Sequence, residues 1–198
     1  MADVKLGEPA CAACGKLQPV DRREDYFSLF GLPREYGLDA ADLERRFRER
    51  SRLVHPDRFA KADPRERRVA LERATRLNDA HRVLRDWRQR AGYLLRLASQ
   101  DPFGDPRAVH DPEFLEEQLE LREALALAQA DGDAERLRGL ARGAVERLAA
   151  LEQELARMFE DERWFSDHAA DVARRLARAR YYENLAADAE RAAAPGRP

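Results

Sequence analysis

Long hydrophobic runs, cysteines and aromatic residues are all scarce in this chain of 198 residues. No stretch approaches the run of about 20 apolar residues that a membrane-spanning helix needs. Two cysteines are too few for a disulfide framework, and they are typical of a reducing compartment. The first twenty residues have neither the basic start and apolar run of a secretory signal nor the arginine-rich character of a transit peptide. These absences predict a cytoplasmic protein that does not enter membranes.

Charge is what the chain has in abundance. Charged residues make up 37% of it and hydrophobic residues 44%, a composition typical of helix-rich proteins with thin cores. Residues 21–98 contain 20 Lys and Arg against 14 Asp and Glu, whereas residues 111–198 contain 13 against 20. Opposite signs in the two parts indicate two modules with different partners, although a charge run is usually only a solvated face.

A segment rich in turn-forming residues divides the chain. Asp, Pro and Gly recur over residues 99–111, which predicts a linker there. The predicted organisation is an N-terminal segment with a single Cys-x-x-Cys pair (1–22), a helical module (23–98), the linker, a second helical module (112–191) and a flexible tail (192–198).

The first module is predicted to contain two long antiparallel helices. Asp39 is a typical N-cap, and apolar residues recur at helical spacing up to Val54, opposite a run of arginines. Pro56 ends that helix, because the residue before a proline avoids helical geometry. The next helix is predicted to begin near Asp63, and its apolar stripe contains Ala70, Ala74, Leu77, His81 and Leu84. The tripeptide His55-Pro56-Asp57 therefore lies in the loop between two helices.

The second module is predicted to be an antiparallel bundle of three amphipathic helices, which makes the whole chain all-α. Its first helix ends at Asp131-Gly132-Asp133, the second runs from about Ala134 to Phe159, and the third from about Trp164 to Ala189. The inward stripe of the first helix contains Phe114, Gln118, Leu121, Leu125 and Ala128, and the adjacent face carries Leu115, Leu119 and Arg122.

Four elements of the first module, in order and at the expected spacing, resemble a J-domain. They are an aromatic turn at residues 26–33, the arginine-rich helix, the stretch His55-Pro56-Asp57-Arg58-Phe59, and residues 77–84. Residues 90–95 and 114–123 resemble the corresponding segments of the HscB-like (Hsc/Jac-type) iron–sulfur cluster co-chaperones. The resemblance covers about residues 24–190 and departs from the family pattern at Glu116, Leu127 and Tyr181.

The resemblance implies a co-chaperone and not an enzyme. Such a protein binds a DnaK/HscA-type chaperone through its J-domain, stimulates the chaperone's ATPase and delivers an iron–sulfur scaffold protein to it. The chaperone-binding residues that it implies are His55, Pro56, Asp57, Arg45, Arg46, Arg48 and Arg52. The scaffold-binding residues that it implies are Leu115, Leu119, Glu120, Glu123 and Tyr181, although the two leucines could instead cover the core of the bundle.

Other functions fit the residues less well. His55 beside Asp57 could suggest acid–base catalysis, but no nucleophile, oxyanion donor or metal ligand accompanies the pair. The loop could also be a solvated turn in which Asp57 caps the following segment. A J-domain protein with a different client and a nucleic-acid-binding helical protein are the remaining alternatives. The second would use the arginine-rich helix, yet aromatic stacking residues and base-reading motifs are missing.

The two cysteines, in Cys11-Ala12-Ala13-Cys14-Gly15, resemble a zinc knuckle. Some HscB-like proteins bind zinc with two such pairs, whereas this chain has one, and a structural zinc site takes four ligands. The four histidines all lie on other elements. We therefore predict no zinc and no other cofactor in a single chain, and Cys11 and Cys14 could form half of a site that another chain completes.

Overall fold

The structure is a computed structural model that describes residues 7–11, 14–98, 111–161, 163–164 and 168–194. These residues divide into two compact units, one up to Arg90 and one from Ala91 onward. The predicted linker lies outside the described residues except for Asp111, and so do the last four residues of the predicted tail. The α-helices of the described residues are α1 (Ala40–Val54), α2 (Pro64–Arg85), α3 (Trp87–Leu97), α4 (Pro112–Ala130), α5 (Ala134–Phe159) and α6 (Ala169–Ala193).

Helices α1 and α2 form the predicted hairpin, and each begins at an aspartate cap. The Asp39 carboxylate accepts the amide protons of the first turn of α1, and Asp63 does the same for α2. Between the helices, His81 stacks on Phe47 at 4.1 Å between ring centroids, and its Nε2 lies 3.0 Å from a carboxylate oxygen of Glu44. The core of this unit contains Phe27, Phe30, Leu43, Val54, Ala70, Leu77 and Leu84.

The described N-terminal residues pack against this hairpin. Ala10 and Leu17 pair in an isolated antiparallel bridge, and Leu17 is buried. Further along, Glu24 forms an ion pair with Arg73 of α2 at 3.2 Å, and both side chains are 4% exposed. Breaking a buried pair leaves an uncompensated charge, which typically costs about 3–5 kcal/mol. The chain just before the hairpin is thus fixed to α2 by a buried ion pair.

Helices α4, α5 and α6 form a three-helix bundle that runs up, down and up. Glu117 of α4 bonds Arg147 of α5 at 3.0 Å, and Glu154 of α5 bonds Arg175 of α6 at 2.8 Å. The end of α4, the start of α5 and the end of α6 meet in one apolar cluster, formed by Ala128, Leu137 and Ala193. Residue numbers increase in opposite directions along successive helices, so neighbouring helices are antiparallel. The all-α prediction, a helical hairpin followed by a three-helix bundle, is confirmed.

The last helix differs from its prediction at both ends. Helix α6 begins at Ala169 instead of near Trp164, because His168 has a non-helical backbone (φ −128°, ψ 6°). It continues to Ala193, which is buried, instead of ending at Ala189. A periodic apolar pattern does not indicate the residue at which a helix is capped. Among the described residues, no helix is both long and apolar enough to cross a membrane.

Candidate functional site

The loop between α1 and α2 presents His55, Pro56 and Asp57 to solvent. His55 has an extended backbone (φ −59°, ψ 126°), as expected before a proline, and Pro56–Phe59 then form one 3-10 turn. Nδ1 of His55 accepts the amide proton of Asp57 at 3.3 Å and so caps this turn. The side chain of His55 is 56% exposed and that of Asp57 is 90% exposed.

The carboxylate of Asp57 has no capping role in the described part of the chain. The cap of the 3-10 turn is the His55 ring, and the cap of α2 is Asp63, so the alternative that assigned a cap to Asp57 is wrong. Arg58 holds the loop by donating from its amide to the His55 carbonyl (3.0 Å) and from its guanidinium to the Arg52 carbonyl (2.8 Å). The fold therefore fixes the loop backbone, while the Asp57 carboxylate is exposed and lies 3.6 Å from Nδ1 of His55 in the same loop.

Three arginines point away from the hairpin on the outer face of α1, and they differ in their pairing. Arg45 is paired with two acids of its own helix, and Arg48 bonds Glu44 at 2.9 Å. The hydrogen bond from Arg48 is the main cause that holds the pKa of Glu44 below its ordinary value. Burial acts in the opposite direction, and His81 lowers the pKa by a smaller amount. Arg52, in the last turn before the loop, has no carboxylate partner among the described residues and is exposed.

Arg46, the fourth predicted contact on this helix, is held by the fold. Its Nη1 donates to the carbonyls of Phe30 and Gly31 at 2.9 and 3.1 Å, and its Nε bonds Asp42 at 2.7 Å. Arg46, followed by Arg45, holds the pKa of the Asp42 carboxyl below its ordinary value. A change at Arg46 would therefore also loosen the aromatic turn that precedes α1.

Helix α4 carries an exposed apolar stripe in the second unit. Leu115 is 45% exposed and Leu119 is 68% exposed, so the alternative that they cover the bundle core is wrong. Glu120 and Glu123 are exposed beside them. Leu127, which the sequence predictions did not place in the site, is 49% exposed two turns further along the same helix.

Tyr181 of α6 reaches α4 from below this stripe. Its hydroxyl donates to the Gln118 carbonyl at 3.0 Å, and its ring meets Phe114 edge-on at 5.5 Å between centroids. Burial is the main cause that raises the pKa of the Tyr181 hydroxyl. The structure thus places four of the five predicted scaffold-binding residues on the exposed side of α4, and the fifth, Tyr181 of α6, contacts α4 through the Gln118 carbonyl.

Asp111 and Arg178 fix the start of α4. The Asp111 carboxylate caps α4 through the Phe114 amide (3.1 Å) and forms an ion pair with Arg178, whose guanidinium lies over the Phe114 ring at 5.0 Å. Burial acts to raise the pKa of Asp111, but the Arg178 bond and the amide bond outweigh it and lower the pKa. The apolar stripe therefore starts from an electrostatically anchored turn.

The lowered pKa of Asp111 makes a prediction about acid. A carboxyl whose pKa is lower in the folded than in the unfolded state adds stability above the unfolded value, about pH 4, and this stability is lost as pH falls through the folded pKa. Asp111→Asn retains a good cap but loses the ion pair, which we expect to cost about 1 kcal/mol at neutral pH. Urea unfolding of both proteins between about pH 6 and pH 2 measures this, because the two curves should converge at the acid end. A difference that persists unchanged at pH 2 would contradict it.

The cysteine pair lies between the bridged residues Ala10 and Leu17, a segment that we call the N-terminal hairpin. Cys11 is half-buried and Cys14 is exposed, and the Gly15 amide donates to the Cys11 carbonyl at 2.8 Å in a turn where Gly15 has φ +70°. The described residues contain no group of three or more His, Cys, Asp or Glu side chains that could hold a metal ion. A structural zinc site takes four ligands, so the prediction of no zinc in a single chain stays a prediction.

Comparisons with protein families and with known sequences all match HscB proteins. The model of the HSCB C-terminal oligomerisation domain matches residues 110–190. The chain is 45% identical to a co-chaperone protein HscB homolog of Azoarcus sp. (strain BH72) over 121 residues, 61% of this chain and 68% of that protein. It is 40% identical to the co-chaperone protein HscB homolog of Vibrio atlanticus (strain LGP32) over 157 residues, 77% of this chain and 88% of the relative.

Solved structures agree with the sequence comparisons. The chaperone HscB from Vibrio cholerae is 33% identical and superposes with a TM-score of 0.69, covering 84% of this chain and 96% of that one. Human co-chaperone protein HscB, a crystal structure, is 27% identical and superposes with a TM-score of 0.80, covering 92% of this chain and 89% of the human chain. The similarity thus includes both compact units.

Proposed function

Because this chain belongs to the HscB co-chaperone family, we propose that it docks on a DnaK/HscA-type chaperone, stimulates that chaperone's ATPase and delivers an iron–sulfur scaffold protein to it. The reaction itself takes place in the chaperone, so this protein acts as a regulator and needs no cofactor. We place it in the cytoplasm. It would thereby aid the assembly and transfer of iron–sulfur clusters.

The observation that carries the proposal is the loop between α1 and α2. His55 and Asp57 are exposed there on a backbone that His55, Arg58 and Pro56 fix, and the Asp57 carboxylate, 90% exposed, lies 3.6 Å from the His55 ring and caps none of the described helices. A fixed convex loop with an exposed charged group suits insertion into a partner, because little side-chain and loop entropy is lost on binding. It does not suit catalysis, which needs a concave site.

The outer face of α1 would guide the docking. Arg52 faces solvent next to the loop, and Arg48 and Arg45 face solvent about one and two turns earlier on α1. A basic surface accelerates encounter with an acidic partner and fixes its orientation. Stimulation then follows from linkage: a protein that binds one chaperone state more tightly shifts the population toward that state. We propose that the favoured state is the one that hydrolyses ATP.

The exposed stripe of α4 would hold the scaffold. Leu115 and Leu119 offer apolar area at its centre, and Glu120 and Glu123 provide a charged rim, which is the usual anatomy of a protein–protein interface. Tyr181 supports the helix from beneath through its bond to the Gln118 carbonyl. Leu127 would extend the apolar contact toward the end of α4.

Single-turnover ATP hydrolysis by the DnaK-type chaperones of the organism tests the proposal. We expect the protein to accelerate hydrolysis, and the iron–sulfur scaffold to amplify the acceleration. Acceleration that the scaffold does not change would retain the J-domain function but favour a different client. If no chaperone responds, the docking function itself is wrong. A DNA mobility shift at physiological salt tests the nucleic-acid alternative, which is less favoured because Arg45 and Arg48 are already paired with acids.

Unequal pairing of the arginines predicts unequal effects on association. Arg52→Ala removes a cation that pairs with no carboxylate in the described part of the chain, whereas Arg45→Ala removes one that two acids already neutralise in part. We expect Arg52→Ala to slow association with the chaperone by about threefold at low ionic strength, and Arg45→Ala to slow it less. Stopped-flow association at low and high salt measures both, because salt should shrink the difference. Equal effects of the two variants would contradict this assignment.

A further inference from the structure

The N-terminal residues bind both helices of the hairpin, near the end of α1 that leads into the loop and at the middle of α2. We define the N-terminal brace as the described residues 7–11 and 14–25. Arg50 of α1 donates to the Gly7 carbonyl at 2.6 Å and pairs with Glu8 at 3.3 Å, and its own side chain is 18% exposed. Arg50 lies one turn before the end of α1, and that end leads directly into His55.

Helix α2 grips the other end of the brace. Arg73 donates to the carbonyls of Gln18 and Pro19 at 2.5 and 3.0 Å, in addition to its ion pair with Glu24. Arg76, one turn later, donates to the Glu24 carbonyl at 2.6 Å. A single chain segment is therefore held by guanidinium groups from both helices, and apart from the exposed Glu8 carboxylate the acceptors are backbone carbonyls or the buried Glu24 carboxylate.

The contact between Arg50 and the brace depends on a glycine. Gly7 is buried with φ +84°, and a Cβ at this position would lie 1.9 Å from the Ser28 carbonyl oxygen. Only a residue without a side chain can adopt this conformation against the 3-10 turn Ser28–Phe30. The brace is thus fitted tightly at Gly7, in the segment where Arg50 binds it.

We propose that the N-terminal brace holds the loop-bearing end of the α1–α2 hairpin in its docking geometry, which makes Arg50 and Arg73 positioning residues for the chaperone. The inference rests on the proposed docking function. Arg50 would not touch the chaperone, because its guanidinium is occupied by the brace. When a binding-competent geometry is populated only in part, apparent affinity falls by that fraction while the bound state stays the same. Release of the brace should therefore raise the concentration needed for half-maximal stimulation without changing the maximum.

Gly7→Ala in the full chain tests the brace. An alanine Cβ does not fit against the Ser28 carbonyl, so residue 7 should be released from Arg50, and we expect the docking geometry to be populated in about one fifth of the molecules. The half-maximal concentration should then rise about fivefold with maximal stimulation unchanged, and hydrogen exchange at residues 50–60 should become faster. Gly132→Ala is the matched control, since Gly132 also has positive φ (+64°) and open space around it but lies in the second unit, outside the brace. It should change neither quantity.

Arg50→Met combined with Gly7→Ala decides whether Arg50 acts through the brace. If it does, Arg50→Met raises the half-maximal concentration in the wild-type background and has no further effect in Gly7→Ala, because coupled residues are not additive. Equal effects in both backgrounds would make Arg50 a direct contact and overturn the assignment. Faster exchange at residues 9–18 with an unchanged half-maximal concentration would overturn the brace as a whole.

The brace and the proposed function can fail separately. If the wild-type protein stimulates no chaperone, docking is wrong, yet exchange at residues 50–60 still reports whether Gly7→Ala frees the loop-bearing end. If Gly7→Ala unfolds the first unit, seen as loss of helical circular dichroism, Arg50→Met alone supplies the same exchange and stimulation readouts.

Discussion

His55→Gln should remove the stimulation of the chaperone's ATPase, a decrease of at least about tenfold in single-turnover rate enhancement. The imidazole is 56% exposed and is held by the Asp57 amide, so it is presented to a partner in one orientation. A glutamine carbonyl can accept the same amide proton, and the loop should keep its backbone. The loss would then come from the missing ring and not from a disordered loop.

His168→Gln is the matched control for this prediction. It makes the same chemical change at a histidine of the second unit that is 41% exposed. We expect full stimulation from this variant, and for both variants a change in unfolding free energy within about 0.5 kcal/mol. Normal stimulation by His55→Gln would mean that the loop is not the docking element.

Leu115→Ala combined with Leu119→Ala should weaken binding of the iron–sulfur scaffold by about 30-fold, which corresponds to about 2 kcal/mol. Both side chains are largely exposed on α4, so their truncation removes interface area and opens no cavity in the bundle. Titration calorimetry with purified scaffold measures the affinity. Basal stimulation of the chaperone in the absence of scaffold should remain unchanged.

Val145→Ala tests whether any exposed apolar residue of the second unit would give the same result. Val145 is 52% exposed on α5, outside the α4 stripe, and its truncation should leave scaffold affinity unchanged. Circular dichroism and urea unfolding provide a second check. A large loss of helicity in the double leucine variant would show that those side chains stabilise the bundle instead of binding the scaffold.

Sequence reasoning located the helices and the loop because their signals are local. Asp39 and Asp63 cap the starts of helices, Pro56 ends a helix, and Asp131-Gly132-Asp133 forms a turn. Each of these signals affects only residues within about one helical turn of its own position. The family resemblance rested on the same local segments, and the comparisons with known proteins confirm it.

Other features depended on contacts between distant parts of the chain and could not be predicted. Helical phase placed five arginines on α1, but only the fold shows that Arg46 and Arg50 are bound to carbonyls 16 and 43 positions away. The sequence likewise predicted a separate N-terminal segment, because nothing in its composition indicates that Arg73 reaches it. A long-range hydrogen bond to a backbone carbonyl has no sequence signature in either partner.

The position of the cysteines determines how this protein can be labelled. The chain has two cysteines, both in the N-terminal hairpin, and Cys14 is exposed. A thiol-reactive dye therefore reports on the first unit alone, three residues from a second thiol of intermediate exposure. Fluorescence measurements on the scaffold-binding helix would need both native thiols replaced and a new one introduced on the second unit. Val145, exposed and outside the proposed interface, is a suitable place for it.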